Sequence, residues 1–216
     1  MKLLLITAAI VLLGFLLYFY CIMPRFTRKS QTRAFMHRLF AHRGLFDPGE
    51  GIPETSMPAF ERAVLCGYPI ELDVQVTKDN LPLETKTYEE LQKLSLQNTG
   101  EKIPLFSDVL KLVDGRVPLL IEIKLHSHHT YPCALVDKLL QGYQGSYCIE
   151  SFNSLALFWY RRNRPDVVRG QLSSNLTSPV AEGGYVLSFL VKHLLTNCIG
   201  RPDFIAYCYK DSRNLS

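Results

Sequence analysis

The sequence predicts an α/β domain of parallel strands behind a single membrane-spanning helix, on three observations. From about residue 39 onward, short apolar runs of strand character alternate with helix-like segments, the pattern of parallel strands joined by crossover helices. Ahead of them, Leu3 to Met23 is a stretch of 21 residues without a charge. The composition is that of a folded chain: of 216 residues, 47% are hydrophobic and 20% charged, which excludes a disordered protein. Pro 12 and Gly 13 exclude a collagen-like or proline-rich one.

At a rise of about 1.5 Å per residue the apolar stretch spans roughly 31 Å, which matches a bilayer core of about 30 Å. A cleaved signal peptide has an apolar region of about 7–15 residues that ends in small residues. This one is longer and ends in Tyr18-Phe19-Tyr20-Cys21-Ile22-Met23, so an uncleaved anchor is expected, with Tyr18 and Tyr20 near the headgroups. A buried soluble helix would instead need apolar neighbours all round. Lys2, Arg25, Arg28, Lys29, Arg33 and Arg38 give residues 1–38 a charge of +6 with no acid. That leaves 18 basic against 20 acidic residues beyond, a net −2. The formal +4 of the whole chain therefore belongs to a short collar, and composition gives no case for a nucleic-acid partner. Five of the six basic residues follow the apolar stretch, so the positive-inside tendency puts the domain on the cytoplasmic side of a single-pass cell-membrane protein. The collar is expected to set topology rather than to grip lipid headgroups. The expected organisation is an anchor at 1–24, a basic juxtamembrane collar at 25–38 and the α/β domain at 39–216. Six cysteines with no C-x-x-C pair suggest neither a disulfide scaffold nor zinc, and fit a reducing compartment.

Within the domain, 39–43 reads as a first strand. A helix follows over about 56–66, capped by Thr55 or Ser56, with Pro58 in its first turn and Gly67 beyond its end. Residues 70–76 form a strand. Thr87 with Glu90 three positions on is a capping box that opens a helix over about 87–96. Another short helix, 107–113, stops at Asp114-Gly115. Then come a strand at 117–124, a helix at about 132–140, a strand at 147–152, a helix at 154–164 and a short strand at 169–172. A helix over about 185–198, with His193 as a structural residue in it, and a strand at 204–207 complete the series. No internal repeat is evident.

The chemistry concentrates at strand ends. Glu71 and Asp73 lie two apart in the apolar strand Ile70-Glu71-Leu72-Asp73-Val74 and so point to one face. Two like charges buried together make one of them take up a proton, unless a cation sits between them. Glu122 and Lys124 repeat the pattern in Leu120-Ile121-Glu122-Ile123-Lys124, and His42-Arg43 end the first strand just before Gly44. Each alone reads equally as an ion pair at a strand edge. Three of them together match the C-terminal strand ends where α/β barrels assemble active sites. Carboxylate ligands favour Mg²⁺ or Ca²⁺ over zinc.

In order along the chain, Ala41-His42-Arg43-Gly44, Pro53-Glu54-Thr55-Ser56, Glu71-Leu72-Asp73-Val74-Gln75-Val76-Thr77-Lys78-Asp79 and Glu122-Ile123-Lys124 resemble the glycerophosphodiester phosphodiesterases. Glu150-Ser151-Phe152-Asn153, followed by Arg162-Asn163-Arg164-Pro165-Asp166, looks like a later strand–helix unit of that family. The resemblance implies a TIM-type (β/α)₈ barrel that hydrolyses glycerophosphodiesters or lipid headgroups to an alcohol and glycerol 3-phosphate. It implies Glu71, Asp73 and Glu122 as ligands of a divalent cation (Mg²⁺ or Ca²⁺), Arg43 and Lys124 on the phosphate, His42 as one of two acid–base histidines, and Glu54 close to the site.

The sequence also departs from the family. After Asn80-Leu81-Pro82-Leu83 the chain passes straight to Glu84-Thr85-Lys86-Thr87-Tyr88, omitting the third strand and the His-Asp pair with the second histidine. Thr55 stands where the family has Asn. The final strand with its tryptophan is absent, Trp159 lying on an earlier helix. The barrel is therefore expected to be incomplete, with its third and last strands missing. The alternative function is a non-catalytic relative that at most binds metal and phosphate. His126, His128 and His129, just beyond a strand end, are the candidates to replace the second histidine, and His37 belongs to the collar.

Overall fold

The structure is a computed structural model that describes residues 1–27, 29–77, 87–125, 129–176 and 184–211. Helix α1 (Lys2–Ile22) and the short α2 (Lys29–Thr32) precede the sheet. Strand β1 (Ala41–His42) is followed by α3 (Met57–Leu65) and β2 (Ile70–Val74). After α4 (Tyr88–Gln92) and α5 (Phe106–Val113) come β3 (Leu119–Ile123), α6 (Tyr131–Leu140), β4 (Tyr147–Ser151), α7 (Ser154–Asn163) and β5 (Arg169–Ser173). The order ends with α8 (Gly184–Lys192), α9 (Asn197–Gly200) and β6 (Phe204–Tyr207).

The six strands are all parallel and adjacent in chain order, β1-β2-β3-β4-β5-β6, curled into a half-barrel. Among the described residues no pairing joins β6 back to β1. The incomplete barrel expected from the sequence is found as a half-barrel of six strands. β2 pairs directly with β3 over five residues, from Ile70 opposite Leu119 to Val74 opposite Ile123. With β1 on its other edge, β2 leaves no place for a strand between itself and β3. The sheet has closed over the gap because two parallel apolar strands satisfy each other's backbone groups.

Alternation along the strands divides the two faces. Ile70, Leu72 and Val74 on β2, with Leu119, Ile121 and Ile123 on β3, are buried under the helices in a core with Phe60 and Ala63 of α3 and Val109 and Val113 of α5. The opposite face carries Glu71, Asp73 and Glu122, and so the site. Helix α3 begins where the sequence indicates: Ser56 is its cap, its hydroxyl accepting from Ala59 N at 3.2 Å. The capping box of Thr87 and Glu90 opens α4 as expected, but α4 ends at Gln92.

The helix expected over 185–198 is two helices. Leu194, at φ 59°, ends α8, and α9 restarts at Asn197 after a turn. His193 lies in that turn rather than in a helix, its ring 4.3 Å from that of Phe189. The break lets the Asn197 side chain donate to the carbonyl of Ile22 at 2.8 Å, at the end of α1.

Helix α1 is exposed throughout from Lys2 to Tyr20 and meets the domain at its C-terminal end. Arg201 Nη1 donates to Tyr20 O at 2.8 Å, and its guanidinium lies 4.2 Å from the Tyr20 ring centre. Arg25 N donates to Pro202 O at 2.8 Å, and Arg25 Nη2 pairs with Asp203 Oδ1 at 2.7 Å. Asp203, its side chain fully buried, also accepts from Arg169 N at 3.0 Å. Arg25 is therefore more than a topology signal: it ties the root of α1 to the start of β6. Arg25→Ala removes the cation beside a buried carboxylate and is expected to cost about 3 kcal/mol, read as a lower melting temperature of the full chain in detergent. Arg25→Lys should lose less.

Candidate active site

Strand register brings the site together. β1 ends at His42, opposite Glu71, and Asp73 stands opposite Glu122. Paired residues of parallel strands face the same side, so the three acids converge on the concave face. Glu71, Asp73 and Glu122 each offer a carboxylate oxygen within 4.8 Å of the others. His42 Nε2 is 3.8 Å from Glu71 Oε2, with its side chain largely exposed. Arg43 N donates to Glu71 Oε2 at 3.2 Å and to Glu71 O at 3.0 Å.

Two cations frame the acids. Arg43 Nη1 donates to Glu54 Oε1 at 3.1 Å, and its Nε lies 3.3 Å from Asp73 Oδ2. Lys124 Nζ is 3.1 Å from Asp73 Oδ1 and 3.4 Å from Glu122 Oε1. A cavity of about 340 Å³ opens beside them, bordered by Arg43, Glu54, Asp73 and Lys124, with apolar walls that include Ile103 and Phe106.

The loop after β1 holds this geometry under strain. Arg43 (φ 58°), Gly44 (φ 87°) and Thr55 (φ 62°) all occupy the left-handed region, and Thr55 N donates to Arg43 O at 2.8 Å. A Cβ on Gly44 would stand 2.9 Å from the backbone carbon of Ala59, so only glycine fits there. Asn tolerates the conformation of Thr55 better than a β-branched residue does, which gives the departure at Thr55 a physical cost.

The electrostatics describe a site short of positive charge. Burial, then the neighbouring Asp73, pushes Glu71 up to about 7, against the Arg43 N–H and the charges of Arg43 and Lys124. Burial also raises Glu122 to about 7; Lys124 opposes this, while Asp73 and Glu71 add to it. Burial penalises the charge on Lys124, but Glu122 and Asp73 outweigh it and the ammonium pKa is raised. Glu71 and Glu122, pushed toward their neutral form by burial and like charge, would ionise fully around a hard cation. An all-oxygen donor set on rigid strands fits Mg²⁺ or Ca²⁺.

All seven residues singled out in the sequence, His42, Arg43, Glu54, Glu71, Asp73, Glu122 and Lys124, meet here. His126 and His128 lie outside the described residues; His129 is exposed beyond β3. Glu150 escaped notice as a site residue. It stands opposite Glu122 on β4 and is 3% exposed. Burial, then Glu71, Glu122 and Asp73, raises its pKa to about 8. The signal was present in Tyr147-Cys148-Ile149-Glu150-Ser151, an acid inside an apolar strand like the other two.

A half-barrel of parallel strands with clustered acids and cations at its strand ends has the arrangement in which α/β barrels build active sites. No family model matches the chain. By sequence it is 30% identical over 155 residues to "Putative glycerophosphodiester phosphodiesterase YhdW" of Bacillus subtilis (strain 168), a match covering 60% of this chain and 63% of that protein. The chain thus spans just under two thirds of that relative. By structure it resembles a glycerophosphodiester phosphodiesterase from Parabacteroides distasonis (TM-score 0.56, 21% identity, 79% of this chain and 92% of the other). It also resembles an Oleispira antarctica phosphodiesterase in complex with the product sn-glycerol-3-phosphate (TM-score 0.59, 20% identity, 76% and 74% covered). At that identity the structural likeness concerns the fold. The sequence match adds a similarity to the glycerophosphodiester phosphodiesterases over part of the chain.

Proposed function

We propose that this chain is a metal-dependent phosphodiesterase that hydrolyses glycerophosphodiesters to an alcohol and glycerol 3-phosphate. The observation that supports it most is the convergence of Glu71, Asp73 and Glu122 within 4.8 Å, with His42 at 3.8 Å from Glu71 and with Arg43 and Lys124 alongside. The name of the Bacillus subtilis relative and the product bound to the Oleispira antarctica protein support the same substrate class.

The three carboxylates would hold Mg²⁺ or Ca²⁺, which when bound supplies a Lewis acid at a phosphoryl oxygen. The chain's own groups do the rest. Arg43 and Lys124 bring fixed positive charge to the phosphate oxygens, Arg43 as a planar fork and Lys124 as a point charge. His42 Nε2, exposed at the end of β1, is the group that would hold or pass a proton at the site. Glu54 fixes the guanidinium of Arg43 through the 3.1 Å hydrogen bond.

The same proposal places α1 in a membrane. Its most apolar window, with mean hydropathy 2.5, is not buried by the rest of the chain, and a bilayer would cover that surface. Residues 1–24 are then the anchor, 25–38 a basic juxtamembrane collar on the cytoplasmic side and 39–216 the phosphodiesterase-like domain.

One observation favours a second reading, a non-catalytic relative that binds metal and phosphate: β2 pairs directly with β3, so the strand that carries the family's second histidine has no place. Turnover separates the two. The full chain in detergent, given glycerophosphocholine or glycerophosphoethanolamine with Mg²⁺ or Ca²⁺, is expected to release glycerol 3-phosphate, and Glu71→Ala to release none. A folded protein that binds the cation but turns over neither substrate would leave the second reading.

A further inference from the structure

We infer that Glu150 is a fourth carboxylate of the cation site, holding the ion through one of its water ligands from the β4 side. The inference rests on the metal reading proposed above.

Register supplies the first argument. Asp73, Glu122 and Glu150 are opposite one another on β2, β3 and β4, and residues paired across parallel strands face the same side. Three carboxylates therefore form one row across the concave face, with Glu71 two residues below Asp73. Glu150 lies outside the set of oxygens that meet within 4.8 Å, so its reach to the ion is by way of water.

Burial supplies the second. Glu150 is 3% exposed, and its Oε2, shut off from solvent, has no hydrogen-bond partner. Its far side offers none. The row continues to Gly170 on β5, and the ring of Phe204 on β6 fills the space that a Gly170 side chain would take, its nearest atoms 2.2 Å from the Cβ position. Ser151 faces the other way and donates to Ile123 O at 2.6 Å. A carboxylate walled on that side by glycine and a phenyl ring has the acids of the cluster on the other. The buried Cys148 thiol, two residues back on the same strand, is its further polar neighbour. Burying such a group unpartnered is costly. A hydrated cation removes the cost, since its bound waters donate outward and buried carboxylates beyond the ligands accept.

The test is calorimetric titration of Ca²⁺ and of Mg²⁺ into chelator-stripped full chain in detergent, for the wild type, Glu150→Gln, Glu150→Met and, as reference, Glu71→Gln. Melting curves in chelator confirm that each variant folds. Either Glu150 variant that folds is expected to bind the cation about 10-fold more weakly, a smaller loss than for Glu71→Gln. Unchanged or tighter binding in a folded Glu150 variant, with Glu71→Gln still weakened, overturns the inference and leaves the three-carboxylate site standing. A wild type that takes neither cation overturns both. Of the two replacements, Gln keeps the shape and Met fills it with apolar atoms, which buried sites commonly accept without loss of stability.

Discussion

Glu71→Gln is expected to lower the affinity for Mg²⁺ or Ca²⁺ at least about 100-fold and to bring release of glycerol 3-phosphate to background. Glu71 is 5% exposed and sits lowest in the cluster, where its carboxylate meets Asp73, His42 and the backbone of Arg43. Gln keeps the volume and still accepts the hydrogen bond from Arg43 N, so β1, β2 and the loop between them should hold their places. What is lost is one of three formal charges on a hard cation, for which ligand charge count sets affinity. The rise in melting temperature on adding cation, which follows from binding to the folded state alone, should disappear with it. Melting curves with and without Ca²⁺ read both effects. A variant that still gains stability from the cation would show that the acids are an ion-pair network with Arg43 and Lys124 and no more.

Without a cation, the protein is expected to lose stability as pH rises. Glu71 and Glu122 are pushed up to about 7 and Glu150 to about 8, from an ordinary 4.5. Between pH 4.5 and 8 the folded chain therefore holds more protons than the unfolded one, and stability falls with pH wherever that is so. The contribution is fully present below the unfolded pKa and gone once all three groups ionise. The three buried acids, each raised in part by the charge of the others, amount together to a loss on the order of a few kcal/mol across the window. Mg²⁺ or Ca²⁺ should abolish the decline, because it stabilises the ionised forms that bare burial penalises. Melting temperatures from pH 5 to 8.5, in chelator and in excess cation, give two profiles, falling and level. A level profile in chelator would mean that the three groups sit in water and that the concave face is open to solvent.

Much of this was legible in the sequence because the signals are local. A polar residue inside an apolar strand shows which face must meet something charged, as Glu71, Asp73 and Glu122 did, and Glu150 carried the same mark. Capping residues act within one turn, so Ser56 and the pair Thr87 and Glu90 announced the starts of α3 and α4. Where a helix ends is set less locally. The stretch 185–198 has a continuous apolar helical pattern, yet Leu194 turns left-handed and α9 begins anew, because Asn197 and Arg201 are drawn to the root of α1, more than 170 residues away in the chain. Charge counting assigned Arg25 to topology; only packing revealed its ion pair with the buried Asp203.

The sequence by itself determined the alternation of strands and helices, the apolar helix ahead of them and the residues that carry chemistry, since each follows from side-chain periodicity and from the chemistry of a few neighbouring residues. The tertiary structure decided register. It set Asp73 against Glu122 and Glu122 against Glu150, brought His42 to Glu71, and joined β2 directly to β3. The physical reason is that a parallel strand pair is chosen by long-range burial and by the demand that every buried N–H and C=O find a partner. That demand was met by the nearest apolar strand of matching direction, and the same pairing made a row of acids out of three separate signals.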